Sequence, residues 1–314
     1  MDRPANTDCY TFFVTNPYQV EDCACGTVTN ALAAAAGISW KAANARLLQQ
    51  AHADSRMPSD PECIRSLLWE SGFRYEGGPA TRGTVAEFCR YASDHCTAGE
   101  TFVLQLSGSR FTAVLPGDTG DGGLRYRQCD AVNRTNHAIM RCYALCPGET
   151  APYRPRRKRT VRELPDRPPQ HDTFRFFQPN PRQLTISDCT VRAVAGVLRI
   201  GWDEALDRLA ACADKGFSQV NDVEALLGSL PAMGFLDCGR PQQQGKSVSG
   251  TEFCRMMERC SKNGDERFFV FFGRSHVAAV LPDREEGALR YRIHDSWDST
   301  GHTVTRYWVM RARL

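Results

Sequence analysis

No apolar run in this chain approaches the roughly 18 residues that a membrane-crossing helix needs, so no spanning segment is expected. The opening residues, MDRPANTDCY, lack the apolar core of a secretory signal. Neither sign of charge dominates. The 39 Lys and Arg exceed the 36 Asp and Glu by a formal +3, too little to argue for a nucleic-acid or membrane partner. The repeated paired cysteine spacing of a zinc site is also missing. Cys23 and Cys25 in DCAC, with Cys9, Cys142 and Cys146, are the nearest thing to one and read better as buried thiols, so neither metal nor cofactor is expected. Cysteine itself is plentiful, at 14 residues. With no secretory signal, most read as reduced thiols in a cytoplasmic or other reducing compartment rather than as a disulfide framework.

The 314 residues favour two domains, and internal repeats show where they lie. EFCR occurs at Glu87–Arg90 and at Glu252–Arg255, and LRYR at Leu124–Arg127 and Leu289–Arg292, both at an offset of 165. AVLP recurs at Ala113–Pro116 and Ala279–Pro282, offset by 166. FF followed by NP opens each half, at Phe12–Pro17 and Phe176–Pro181. Chance tetrapeptides would not keep this order at so constant an offset, so the chain reads as a tandem duplication: residues 1–150, a linker over 151–170, and residues 171–314. The linker is rich in proline and charge. Its RPRRKR, residues 154–159, reads as a solvated, self-repelling stretch, and is the one hint of a nuclear signal or phosphate-binding patch.

Each half has the same coarse order. In the second, an extended entry precedes helices predicted over 188–198, with Asp188 as cap, and over 202–212, 223–230 and 251–260. Strand patterns follow at 267–272, 276–281, 288–294 and 303–309. Helices first and an antiparallel meander afterwards predict an α+β fold.

Chemistry concentrates in the second half. Cys189 falls in the first turn of a predicted helix, where partial positive charge stabilises a thiolate. His276 opens a strand, on the face shared by Ala278 and Val280. Asp295 ends the next strand, inside DSWD. A cysteine nucleophile needs a base for its proton, and the base needs an acceptor to orient its ring. Cys189, His276 and Asp295 supply these in chain order, and Gln183, six residues before Cys189, is a candidate oxyanion donor. His294 and His302 are rivals for the base. His294 should face the opposite side of its strand, and His302, matching His137 in the first half, reads as structural. Asp298 rivals Asp295 and becomes Asn133 in the first half.

This set resembles the papain-like cysteine peptidase superfamily. The resemblance rests on Gln183 six before Cys189, Cys189 starting a helix, His276 on a strand, and Asp295-Ser296-Trp297. It covers about residues 174–310 and, in degraded form, 10–145. It implies two tandem papain-like domains, each a helical part followed by an antiparallel sheet. In it Asp295 orients His276, and Trp297 shields that pair from water. It also implies cysteine-dependent hydrolysis of a peptide, isopeptide or amide bond, with a protein or peptide substrate. The peptidase stretch Cys-Gly-Ser-Cys-Trp is absent; SDCTVRA stands there. The spacing from Cys189 to Asp295 is also short, as in compact phage and bacterial branches. Acyl transfer by the same residues and a catalytically inactive binding or structural component are the alternatives.

In the first half, Arg110 stands where His276 does, Val132 replaces Trp297, and Asp130 matches Asp295. The entry anchor pairs Gln19 and Cys25 with Gln183 and Cys189, whereas the helix anchor pairs Thr27 with Cys189. Arginine cannot act as a base near neutral pH, so residues 1–150 read as a pseudo-catalytic domain.

Overall fold

Apolar, β-rich segments in each half of the chain assemble into a six-stranded sheet, and the fold is mixed α+β. The computed structural model describes residues 4–14, 16, 24–76, 83–96, 99–119, 123–145, 167–184, 186–215, 220, 223–261, 264–273, 275–285 and 287–310. The basic linker lies almost wholly outside them. Two compact units result, one mainly from residues 1–156 and one mainly from 157–314.

In the first unit, strand β1 (Tyr10–Phe12) leads to helices α1 (Ala24–Ala36), α2 (Trp40–Asp54) and α3 (Pro61–Glu70). Strand β2 (Phe73–Glu76) and helix α4 (Val85–His95) follow, then β3 (Phe102–Leu106), β4 (Arg110–Asp118), β5 (Leu124–Asp130) and β6 (Ile139–Leu145). The sheet order is β1-β5-β4-β3-β6-β2. The second unit opens with β7 (Phe174–Phe176), α5 (Cys189–Leu198), α6 (Trp202–Lys215), α7 (Val223–Ala232) and β8 (Leu236–Asp237). A small hairpin of β9 (Gln242–Gln243) and β10 (Lys246–Ser247) then precedes α8 (Gly250–Cys260). The unit closes with β11 (Arg267–Phe272), β12 (His276–Glu285), β13 (Ala288–Asp295) and β14 (Val304–Met310). Its sheet order, β7-β13-β12-β11-β14-β8, repeats that of the first position for position.

The agreement extends to detail. Ala113 faces Cys129 across β4 and β5, as Ala279 faces His294 across β12 and β13. Register shifts interrupt the ladders at Gln105/Leu106 and at Phe271/Phe272. Helix α4 begins with a capping box of Thr84 and Glu87, and α8 with one of Ser249 and Glu252.

The helices and strands expected in the second half are all present with small boundary changes. Strand β12 runs on to Glu285, through Pro282. Beyond Val280 it pairs only with β13, so the missing proline N–H removes no bond to β11. Pro116 sits alike in β4, beyond the last residue paired with β3, which gives the repeated AVLP a structural meaning. The entry segments were read as merely extended. They join the sheets as parallel edge strands, with Phe12 opposite Asp130 and Phe176 opposite Asp295.

In the second unit the sheet is packed on both faces. Phe253, Cys254 and Met257 of α8 form one core with Phe268, Val270, Val280 and Ile293. Helix α5 lies on the other face, against β12. Gly196 permits that approach, since a Cβ there would sit 2.9 Å from the Cβ of Ala279.

Candidate active site

Three elements of the second unit converge at one end of its sheet. Helix α5 begins with Cys189, β12 begins with His276, and β13 ends with Asp295. The Asp295 carbonyl is fixed by the Phe177 N–H at 2.7 Å, because the entry strand pairs there. His276 bridges the other two residues. Its Nε2 lies 2.5 Å from Asp295 Oδ2, so Nδ1 is the ring nitrogen left to act on the neighbouring Cys189 thiol. Asp295 is 1% exposed, and its remaining capacity is filled by the Ser296 N–H at 2.7 Å, the Ser299 hydroxyl at 3.0 Å and Arg192 Nη2 at 3.3 Å.

Electrostatics at this thiol differ from those at four cysteines elsewhere. Burial pushes the thiols of Cys89 and Cys129 up to about 12 and about 11, and those of Cys142 and Cys254 up as well. Burial acts the same way on Cys189. There the hydrogen bond and charge of His276, the Val277 N–H and Arg192 outweigh it and hold the thiol below its ordinary value. For His276, burial disfavours the charged form, yet the hydrogen bonds and charges of Asp295 and Cys189 raise it to about 9. The pair therefore favours thiolate and imidazolium together, and titrates as a unit.

Trp297 packs against His276, with ring centroids 4.7 Å apart and planes tilted by 47°, and is itself 39% exposed. Asp298 takes no part in this set. It accepts from the Thr300 N–H and hydroxyl at 3.0 and 2.6 Å and reaches His171 Nε2 at 3.0 Å, tying the loop after β13 to the entry segment. Asn133 builds the same turn in the first unit through Thr135. His294 points to the opposite face, edge-on to Phe177, and burial lowers it to about 4. His302 packs on Trp297.

One sequence expectation needs correction. Asp188 occupies the N-cap position of α5, but its side chain makes no capping bond. It turns inward, pairs with Arg192 and accepts from Trp202 Nε1 at 2.9 Å. Gln183 sits exposed in a turn at φ 49°, its N–H on the Asn180 carbonyl at 2.8 Å. Among the described residues no hydrogen bond joins its side chain to Cys189, His276 or Asp295. Arg192 and Ser299 were missed. Arg192 had a signal: a lone charge in the apolar helix VRAVAGVL, four residues after an aspartate.

In the first unit, Thr27 Oγ1 accepts from the Phe111 N–H at 3.1 Å. Phe111 follows Arg110 just as Val277 follows His276, and the Val277 N–H serves Cys189 in the same way. Thr27 thus takes from β4 the N–H that corresponds to the one acting on Cys189. Gln19 and the Cys25 side chain lie outside the described residues, as do Cys23 and Cys146. Arg110 Nη1 bonds the Gly108 carbonyl at 2.7 Å. Buried Asp130 pairs with Arg134 Nε at 3.3 Å and accepts from Gln128.

The chain matches no protein-family model, no curated protein and no solved structure. Among the described residues, no group of His, Cys, Asp and Glu is arranged to hold a metal, and no helix is long and apolar enough to cross a membrane.

Proposed function

We propose that the second unit is a papain-like, cysteine-dependent hydrolase acting on peptide, isopeptide or amide bonds, and that the first is its pseudo-catalytic counterpart. The observation that carries the reading is His276, hydrogen-bonded to Asp295 and acting on the Cys189 thiol, with the thiol lowered and the imidazole raised. A thiolate formed this way attacks the substrate carbonyl carbon. The N-terminal end of α5 contributes positive partial charge for the developing oxyanion. Imidazolium then gives its Nδ1 proton to the leaving nitrogen, and the C–N bond breaks. Neutral His276 next takes a proton from water, which displaces the thiolate from the acyl group. Asp295 stabilises the imidazolium throughout, and Trp297 keeps water off their bond. The first unit has Thr27 and Arg110 at the nucleophile and base positions. A hydroxyl beside a guanidinium that holds its proton cannot run this cycle.

The test combines labelling and turnover. Iodoacetamide at a pH below the ordinary thiol range should label Cys189 ahead of the exposed Cys238 and Cys260. On a panel of peptide, isopeptide and amide substrates, Cys189→Ala and His276→Ala should each lower turnover by on the order of 10³-fold or more, and the double variant should lose no more than either. Turnover that survives Cys189→Ala overturns the assignment.

A further inference from the structure

The charged residues around Cys189 form an alternating chain that extends beyond the three residues of the proposed cycle. From the interior outward run Asp188, Arg192, Asp295, His276 and Cys189. Asp188 is fully buried and Arg192 is 4% exposed. One guanidinium serves both carboxylates, Asp188 through Nη1 and Asp295 Oδ1 through Nη2 at 3.3 Å. Trp202, from α6, donates to the other oxygen of Asp188 at 2.9 Å. Buried charges are retained only where they are paired, and removing one partner strands the other. Asp188 is also the residue next to the nucleophile. Unneutralised, its charge would oppose a thiolate.

We infer that Arg192, anchored by Asp188 and Trp202, is a positioning residue: it fixes Asp295 by one oxygen so that the other meets His276, and it cancels the charge of Asp188 beside Cys189. The inference rests on the reading of Cys189 as a thiolate nucleophile. The first unit supports it by contrast. With Thr27 at the position of Cys189, Gly26 stands at that of Asp188 and Asn30 at that of Arg192, so the helix carries no such pair. Asp130 remains buried there and still has an arginine, but Arg134 supplies it from the loop after β5, where the second unit has Ser299. The buried aspartate has an arginine partner in both units. Only in the second does that partner come from the helix that bears the nucleophile position. A merely structural counter-ion could come from either side. One that also sets the thiol must lie beside it.

The charged groups facing Cys189 are His276 from β12 and Arg192 from its own helix, with Asp295 of β13 and Asp188 behind them. The test is the rate of iodoacetamide alkylation at Cys189 in the full chain against pH, read by mass spectrometry, with folding checked by thermal melts. Three variants are compared with the wild type. Arg192→Gln removes the bridge, Asp188→Asn/Arg192→Gln removes it while keeping the buried charge balanced, and Arg192→Lys keeps the charge but not the two-sided fork. The thiolate midpoint should rise by about one pH unit or more in the first two and by less in the third. A wild-type midpoint in a folded Arg192→Gln or double variant overturns the inference while leaving the nucleophile reading intact. A wild-type Cys189 that titrates as an ordinary thiol, indifferent to His276→Ala, overturns both.

Discussion

Replacing Asp295 with asparagine should displace the titration of His276 while leaving the outline of the site in place. The carboxylate accepts from four donors: His276, Ser299, the Ser296 N–H and Arg192. An amide has one accepting atom. If its oxygen stays with Ser296 and Arg192, its NH₂ faces His276 Nε2, which must then accept, and the imidazolium loses its partner. His276 stands at about 9, against about 6.5 for a free imidazole. That difference of about 2.5 units corresponds to about 3 kcal/mol, shared between Asp295 and Cys189. Because Asp295 supplies both a hydrogen bond and a charge, its loss should lower the midpoint by about one unit or more. The assay is a ring-proton NMR titration, with His276 assigned from the spectrum of His276→Ala. His294, on the other face of β13, is the internal control and should stay at about 4. The sign of the linked stability follows from the raised value. The contribution of His276 is complete below about pH 6.5 and is lost as the pH rises to about 9. A His276 midpoint unmoved in Asp295→Asn would refute the reasoning.

Other outcomes follow from packing. Gly250→Ala should destabilise the second unit by about 1–3 kcal/mol in denaturant melts. Its Cβ would meet Ile293 Cδ1 at 2.6 Å and the Thr300 carbonyl oxygen at 3.0 Å. Ser249→Ala and Thr84→Ala should each lower stability by about 1 kcal/mol through loss of a capping box, read as a shifted melt. Arg110→Ala should leave the pH profile of Cys189 alkylation unchanged; a shifted profile would show that the first unit's arginine acts on the thiol.

Much of the second unit could be read in the sequence because its signals are local. Phe253, Cys254 and Met257 mark one helical face, and Arg267–Phe272 is an apolar strand buried along nearly its whole length. The repeats carried that reading into the first half. What escaped depends on contacts distant in the chain. The edge strand β8 is two residues long and exists through its pairing with β14, so no periodicity can reveal it. Asp188 followed by an apolar helix has the pattern of a cap. Its inward turn is decided by Trp202 and Arg192, which offer stronger partners than the helix N–H groups. The choice between Cys25 and Thr27 was open because an insertion separates the two anchors. The hydrogen bond from Phe111 to Thr27, 84 residues away, leaves no trace in any local pattern.

The entry strand β7 has a consequence for the order in which the site comes into being. Asp295 is held by pairing with Phe176 and by the N–H of Phe177, so the start of the unit must wait for nearly its last strand. Closing so long a loop is slow, and late in folding. During synthesis, Cys189 leaves the ribosome more than a hundred residues before Asp295, the partner of His276. Until β13 arrives, His276 has no carboxylate beside it and the thiol behaves as an ordinary one. On the proposed function, nucleophilicity at Cys189 is thus a property of the completed unit and not of the nascent chain.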